Sequence, residues 1–562
     1  MDLEVDLHLD ERLILIQGQQ YLENKSETPI YEVHLVFPPC NTVTSLKIGD
    51  RDFEKPHDDF NYFKVDLSRP AEPGETVVVD FKMSYQREGF PHQEPNTRLV
   101  ENGLFIQSNR LSAHVGYDPN YQLEDNRVRK QLGLVELSER PSLEDRSQWN
   151  NHVIRQDSDF IDYQMTISTE TGQQVVAPGK LVGVYESGGR IFSQFQTRKL
   201  IKNLFAIQAG EYEVLSDQWR DVDLEVYFHP KHGYNVNELM LALKDSVALF
   251  SQEFSPYPFN VLRIVELPGY QKIAQSFPTT IAFSEDFGFL ADLSSSELNM
   301  PYFITAHEVA HQWWGHMVAA ANVEGDGFIH ESLAQYFALF ALEKKYGKHQ
   351  VKLFLDYELD RYLTGRANDT IGELPLYRVQ DQDYLQYRKG SLVMYALKEY
   401  LGEAVLHKAI RNLLALRSFS TEPYGVSIEF VQVLKDVAPK SQHQYIDDLL
   451  LKVSHFEMEV VDLKTTSLPE GNFRVSGKIQ GRQNLNGGNG PIPNYPLELV
   501  FYSAEPIEGE INSQRVVKEK EIFFRNGVAE FSFVADEKPN WVWLDPFHRL
   551  LGLEPESRIV AM

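Results

Sequence analysis

The stretch Ile304-Thr305-Ala306-His307-Glu308-Val309-Ala310-His311-Gln312-Trp313-Trp314-Gly315 decides how the rest of the chain reads. The composition of Ile304 to Val318 predicts a buried helix. Residues four apart share one face of a helix, so both imidazoles can be aimed at a single ion. Two neutral histidines supply half of a tetrahedral zinc shell. Glu308 directly follows the first histidine, where a metallohydrolase carries its general base. A plainer reading, a buried helix with two hydrogen-bonded histidines, stays open on this stretch alone.

A third ligand is expected from a neighbouring helix. Glu331 opens a run of strong helix formers that ends with Lys344 and Lys345 in the last turn and Gly347 just beyond. An acidic residue there also complements the helix dipole, so position alone fits either role. Beside the upstream motif, the ligand is the expectation. Trp313 and Trp314 read as core residues beneath the metal helix, and His316 and His330 as residues beside the site or at the surface.

The His-Glu-x-x-His pattern, followed by Gln312-Trp313-Trp314-Gly315 and a downstream glutamate, resembles the aminopeptidase N family of gluzincin zinc peptidases, peptidase family M1, which includes leukotriene hydrolases. Tyr387-Arg388-Lys389-Gly390 matches that family's Tyr-x-Lys-Gly, whose tyrosine hydrogen-bonds the developing oxyanion; Tyr384 is the nearby alternative. Phe254 to Pro268 resembles the family's approach to its substrate strand, and Asn102 to Phe105 a segment entering its cleft. The resemblance implies one zinc per chain held by His307, His311 and Glu331. It also implies Glu308 as general base, Tyr387 as oxyanion donor and a peptide as substrate.

Two departures matter. The family usually has eighteen residues between the second histidine and the third ligand; here nineteen, 312 to 330, precede Glu331. The usual spacing lands on His330, which stays as the alternative ligand. Ala334 and Tyr336 follow Glu331 in the family's register, and a one-residue insertion around Glu324 to Gly327 would absorb the difference. The second departure is in the substrate strand. The family's Gly-x-Met-Glu-Asn, whose glutamate grips the free amino terminus, should fall near Ala274-Gln275-Ser276-Phe277-Pro278, where there is no glutamate. Exopeptidase and endopeptidase action therefore both remain open. So do a zinc-binding peptide-recognition or transport-accessory module without turnover, and a zinc hydrolase of a non-peptide substrate. Intact Glu308 and Tyr387 speak against the former.

A chain of 562 residues suggests three or four domains. Its net charge of −27 opposes nucleic acid and anionic membrane surfaces as partners. The single cysteine, Cys40, excludes an intrachain disulfide and reads as a buried strand residue. Leu3, Val5, Leu7 and Leu9 alternate with polar residues, which predicts a strand at the start and not a signal peptide. No uncharged run reaches the ~18 residues that span a bilayer. The abrupt start within a strand suggests an excised domain, and the Gln-Trp-Trp-Gly-His variant with the nineteen-residue spacing resembles bacterial members fused behind permease-like membrane segments. That resemblance implies the soluble domain of a membrane protein, in an undetermined compartment.

The pattern divides the chain into a β-sandwich or saddle over 1–215, a thermolysin-like α-rich catalytic domain over 216–455 and an Ig-like β-sandwich over 456–562. Ile30 to Phe37, Thr76 to Tyr85 and Phe160 to Ile167 read as strands of the first. In the second, a strand at Val222 to Phe228 precedes an amphipathic helix at Asn235 to Phe254. The two metal helices and then helices at Lys389 to Leu401 and Gly402 to Leu416 follow. Short alternating strands fill the third, around an Asn-, Gly- and Pro-rich loop at Asn484 to Pro496.

Overall fold

The computed structural model describes residues 1–54, 60–86, 98–100, 102–116, 122–137, 140–268, 272–294, 298–485, 488–506 and 515–562. The amino-terminal part is β-rich. Leu3, Val5 and Leu7 turn their side chains into the core, as their alternation requires. Their strand, Asp2–His8, lies between Leu13–Glu23 and Gln164–Thr169 in an eight-stranded mixed sheet. Phe160 to Ile167 is two strands and not one. Phe160–Ile161 pairs with Ile201–Lys202 in a small separate sheet, and Gln164–Thr169 joins the large one. Between them Tyr163 is buried against Phe205, with ring centroids 4.9 Å apart. Cys40 is exposed in a turn, not buried in a strand, with the Arg110 guanidinium 2.7 Å from its sulfur.

The middle part is helical, but its helices pack on a five-stranded sheet. The sheet's spatial order is Glu213–Trp219, Val222–Phe228, Val261–Leu267, Thr280–Ser284 and Ala274–Phe277. The three inner strands are parallel, and Ala274–Phe277 is an antiparallel edge. Every residue of Val261–Leu267 is buried. A strand covered on both faces shows no alternation, so its apolar run does not announce itself as a strand. Helices Val236–Glu253, Met300–Ala310, Leu333–Tyr346, Lys348–Asn368, Gly390–Leu401 and Glu403–Arg417 follow.

The helix expected over Ile304 to Val318 stops earlier, at Ala310. Gly315 has φ +128°, which only glycine adopts readily. Around it the chain folds back, with Gly315 N–H donating to Val318 O at 3.0 Å and Val318 N–H to Trp313 O at 2.9 Å. The Trp313 indole N–H is tied to Ser255 O at 3.0 Å, which fixes the fold-back to the end of the preceding helix.

The carboxy-terminal part is two four-stranded sheets. Phe501 of one meets Phe531 and Phe533 of the other at centroid distances of 5.3 and 4.7 Å. The loop expected at Asn484 to Pro496 contains a short strand, Gly488–Pro491, paired with Arg482 to Leu485. No described helix is long and apolar enough to cross a membrane.

Candidate metal centre

Helix Met300–Ala310 begins at Asn299, whose side chain accepts from Tyr302 N–H, and carries Pro301 in its first turn. It is buried between Val236–Glu253 and Leu333–Tyr346. His307 lies in its last turn. His311 is the first residue past its end, still donating its N–H to His307 O at 3.2 Å. The two Nε2 atoms are 3.0 Å apart.

Glu331 sits on a π-helical turn, Phe328–Ser332, that leads into Leu333–Tyr346. A π turn holds one residue more than an α turn, and here it turns Glu331 toward the imidazoles. Glu331 Oε2 is 3.3 Å from His307 Nε2 and 3.4 Å from His311 Nε2. Zinc bonds of about 2.0–2.1 Å in a tetrahedron separate ligand atoms by about 3.3 Å. The triangle therefore has the size of one face of a zinc shell. His311 Nδ1–H donates to Trp314 O at 2.9 Å, which leaves the Nε2 lone pair facing inward. Glu331 Oε2, though buried, has no hydrogen-bond donor among the described residues. The donor set fits a cation. Burial pushes the Glu331 carboxyl up, but His311 and His307 outweigh it and hold the group well below the carboxylate range. His330 lies outside this cluster. Burial, then the Lys202 charge, pulls its pKa down to about 3, which keeps it neutral.

Glu308 is buried beside the two histidines. Burial raises its pKa, while His311, His307 and the Ser276 backbone pull the other way. Ser276 belongs to the edge strand, which Gln312 fastens to the metal motif. The Gln312 amide donates to Ser276 Oγ at 2.7 Å and Phe277 O at 2.8 Å, and accepts from Thr279 N–H at 3.0 Å. The glutamine after the second histidine thus ties the strand to the histidine helix.

Tyr387 lies on a second π turn, Tyr384–Lys389, just before Gly390–Leu401. Its ring is 6.0 Å from that of His307, and its hydroxyl lies within the field of the Glu331 carboxylate. Burial, then the charges of Glu331 and Glu308, lifts its pKa far above the usual phenol value, so it remains a donor. Tyr384 is occupied elsewhere, donating to Asp369 Oδ2 at 2.5 Å. The two π turns touch: Ser332 Oγ donates to Gln386 O at 2.7 Å, and Gly390 leaves room for the Ser332 side chain.

The structure also brings in residues that the sequence motifs did not single out. Gln107 of the amino-terminal part donates from Nε2 to Gln275 Oε1 at 3.0 Å, at the strand position next to Ser276. Lys202, 2% exposed, acts electrostatically on His152, His316 and His330. Neither carries a motif; each is visible only once the amino-terminal sheets are laid against the catalytic part.

Fold and site together place a His-Glu-x-x-His motif and a third carboxylate on helices packed against an α/β core. Residues 240–447 match the peptidase family M1 domain. It is 24% identical over 274 residues to probable aminopeptidase 1 of Sulfurisphaera tokodaii, a match covering 46% of this chain and 34% of that protein. It is 24% identical to leucyl aminopeptidase of Saccharolobus solfataricus, over 57% of this chain and 41% of the relative. Human endoplasmic reticulum aminopeptidase 2 is 27% identical over 41% of this chain and 25% of its own length. The chain thus spans about a third to two-fifths of the length of the first two relatives. The solved structure of a point mutant of an M1 zinc metallopeptidase from Deinococcus radiodurans matches with a TM-score of 0.57 at 14% identity. That match covers 80% of this chain and 92% of the other.

Proposed function

We propose that this chain is a zinc-dependent peptidase of the aminopeptidase class that hydrolyses short peptides. The observation that carries the reading is the triangle of His307, His311 and Glu331, with spacings of 3.0, 3.3 and 3.4 Å, beside a buried Glu308. Those three residues would hold one zinc, which when bound acidifies a water and polarises the scissile carbonyl. Glu308 takes the proton of the attacking water and returns it to the leaving amine. Tyr387 donates its hydroxyl hydrogen to the oxygen that gains charge in the transition state. The edge strand Ala274–Phe277 offers its backbone alongside Glu308 for an extended peptide. We take 1–215, 216–455 and 456–562 as the domains of this enzyme. The likeness to permease-fused members adds a membrane-attached partner, tested by whether the native gene product fractionates with membranes.

The zinc-loaded chain, incubated with a mixture of short peptides and followed by mass spectrometry, should release cleavage products. Glu308→Gln should keep the metal and lose nearly all turnover. Equal product from the wild type and Glu308→Gln would overturn the proposal.

A further inference from the structure

A second group of metal-type donors stands apart from the site above. The three parallel strands Val222–Phe228, Val261–Leu267 and Thr280–Ser284 end on one side of the sheet. Their carboxyl ends form the crevice where α/β sheets commonly hold ligands. Each end supplies one side chain. His232 follows the first strand, Glu266 is the penultimate residue of the second, and Glu285 follows the third. Their ligand atoms all lie within 4.8 Å of one another. His232 Nδ1 touches Glu266 Oε1 and is 3.6 Å from Glu285 Oε2.

The orientation of these groups is built in. Glu266 is fully buried, and its Oε2 accepts the His229 backbone N–H at 2.6 Å, which turns Oε1 toward His232. His232 and Glu285 are each 27% exposed, so an ion can enter from solvent. Two carboxylates and one imidazole thus converge on one point at the strand ends. Glu266 forms no ion pair with a lysine or arginine among the described residues. Burial and the Glu285 charge both disfavour its ionised form, against the opposing His232 and His229 contacts.

We propose that His232, Glu266 and Glu285 form a second divalent-metal site, which takes zinc or a similar transition ion. One imidazole nitrogen and two carboxylate oxygens are a recurrent zinc donor set. The His232–Glu266 contact opens to about 3.3 Å as the ion enters between them, the spacing that zinc–ligand bonds require. The ion then joins three strand ends. It also fixes both ends of the segment from Glu266 to Glu285 that carries the edge strand, and so sets that strand's position without touching the reacting atoms.

Zinc content after dialysis of the full chain, with the thermal midpoint as second readout, tests this independently of peptidase turnover. Wild type should hold two zinc ions. His307→Ala/His311→Ala should hold one, and His232→Ala or Glu285→Gln one. Combining the two sets should leave none. Zinc should still raise the midpoint of His307→Ala/His311→Ala, and Glu285→Gln added to it should abolish that rise. Glu285 is partly exposed, so its amide keeps the test usable should His232→Ala misfold. The proposal is overturned if wild type holds one ion that His307→Ala/His311→Ala loses. It is equally overturned if the remaining ion in that variant persists after Glu285→Gln.

Discussion

His330 and Glu331 are neighbours on one π turn, and only one of them faces the two imidazoles. Glu331→Ala should therefore lower zinc affinity at the His307–His311 centre by at least tenfold, while His330→Ala leaves it within a few-fold; equilibrium dialysis against a zinc chelator measures both. The reverse order would move the third ligand to His330. Tyr387 and Tyr384 pose a second such choice. Tyr387→Phe should keep the metal and lower kcat by about 10²–10³, the cost of one oxyanion donor. Tyr384→Phe should leave kcat unchanged, because its hydroxyl is engaged with Asp369. Steady-state kinetics on one peptide decides between them, and a wild-type rate for Tyr387→Phe removes that tyrosine from the chemistry. At this scale the sequence carried much of the information, since His307, Glu308 and His311 are fixed in space by helical spacing alone. The register of Ala334 and Tyr336 favours Glu331 over His330; what was not legible is the π turn, one residue wider than an α turn, that aims it.

Elements were legible where their pattern was periodic or their ends were marked. Asn235 to Phe254, with an apolar stripe, appears as Val236–Glu253, and the two helices meeting at Gly402 appear with that glycine at φ +87°. The sheet beneath the helices was not legible beyond Val222–Phe228, because its central strand is buried on both faces. The early stop of the metal helix depends on one glycine whose backbone conformation has no signature in hydropathy. The packing of the two π turns was also hidden, and it yields a prediction. A Cβ at Gly390 would lie 2.8 Å from the Ser332 Cβ and closer still to its hydroxyl. Gly390→Ala forces the turns apart, and these turns carry Glu331 and Tyr387. Overpacking of this kind costs about 1–3 kcal/mol, so the variant should melt lower and hold zinc more weakly. Unchanged melting and zinc affinity would show that the turns are not coupled.

The whole molecule joins a β-rich amino-terminal part to the catalytic part, and two consequences follow from that contact, neither legible from one segment of sequence. The first is electrostatic. Burial lowers the Lys202 ammonium from 10.5 to about 7. Between those values the unfolded chain holds a proton that the folded chain has released, so this residue makes stability rise with pH across the window. Below about pH 7 the full penalty applies, of the order of 5 kcal/mol. Lys202→Met should therefore raise the thermal midpoint at pH 7 and flatten its increase toward pH 10; a lower midpoint at pH 7 would mean that the amine has a stabilising partner. The second consequence concerns substrate choice. A substrate ammonium buried at the edge strand needs a carboxylate partner. At the strand positions beside Glu308, Ser276 is bonded to Gln312, and Gln275 is bonded to Gln107 reaching over from the amino-terminal part. The flanking acids Glu266 and Glu285 are gathered around His232. What lines this part of the cleft is a neutral amide pair. Without a charge-assisted contact a free amino terminus forgoes about 1.5–3 kcal/mol, or roughly tenfold to a hundredfold in affinity. The chain should thus cleave one peptide with a free and with an acetylated amino terminus at kcat/KM values within about tenfold, and single-residue amino-terminal reporters poorly. A preference for the free form beyond a hundredfold would mean that a carboxylate from another part of the molecule reaches the amino terminus and that strict aminopeptidase action holds.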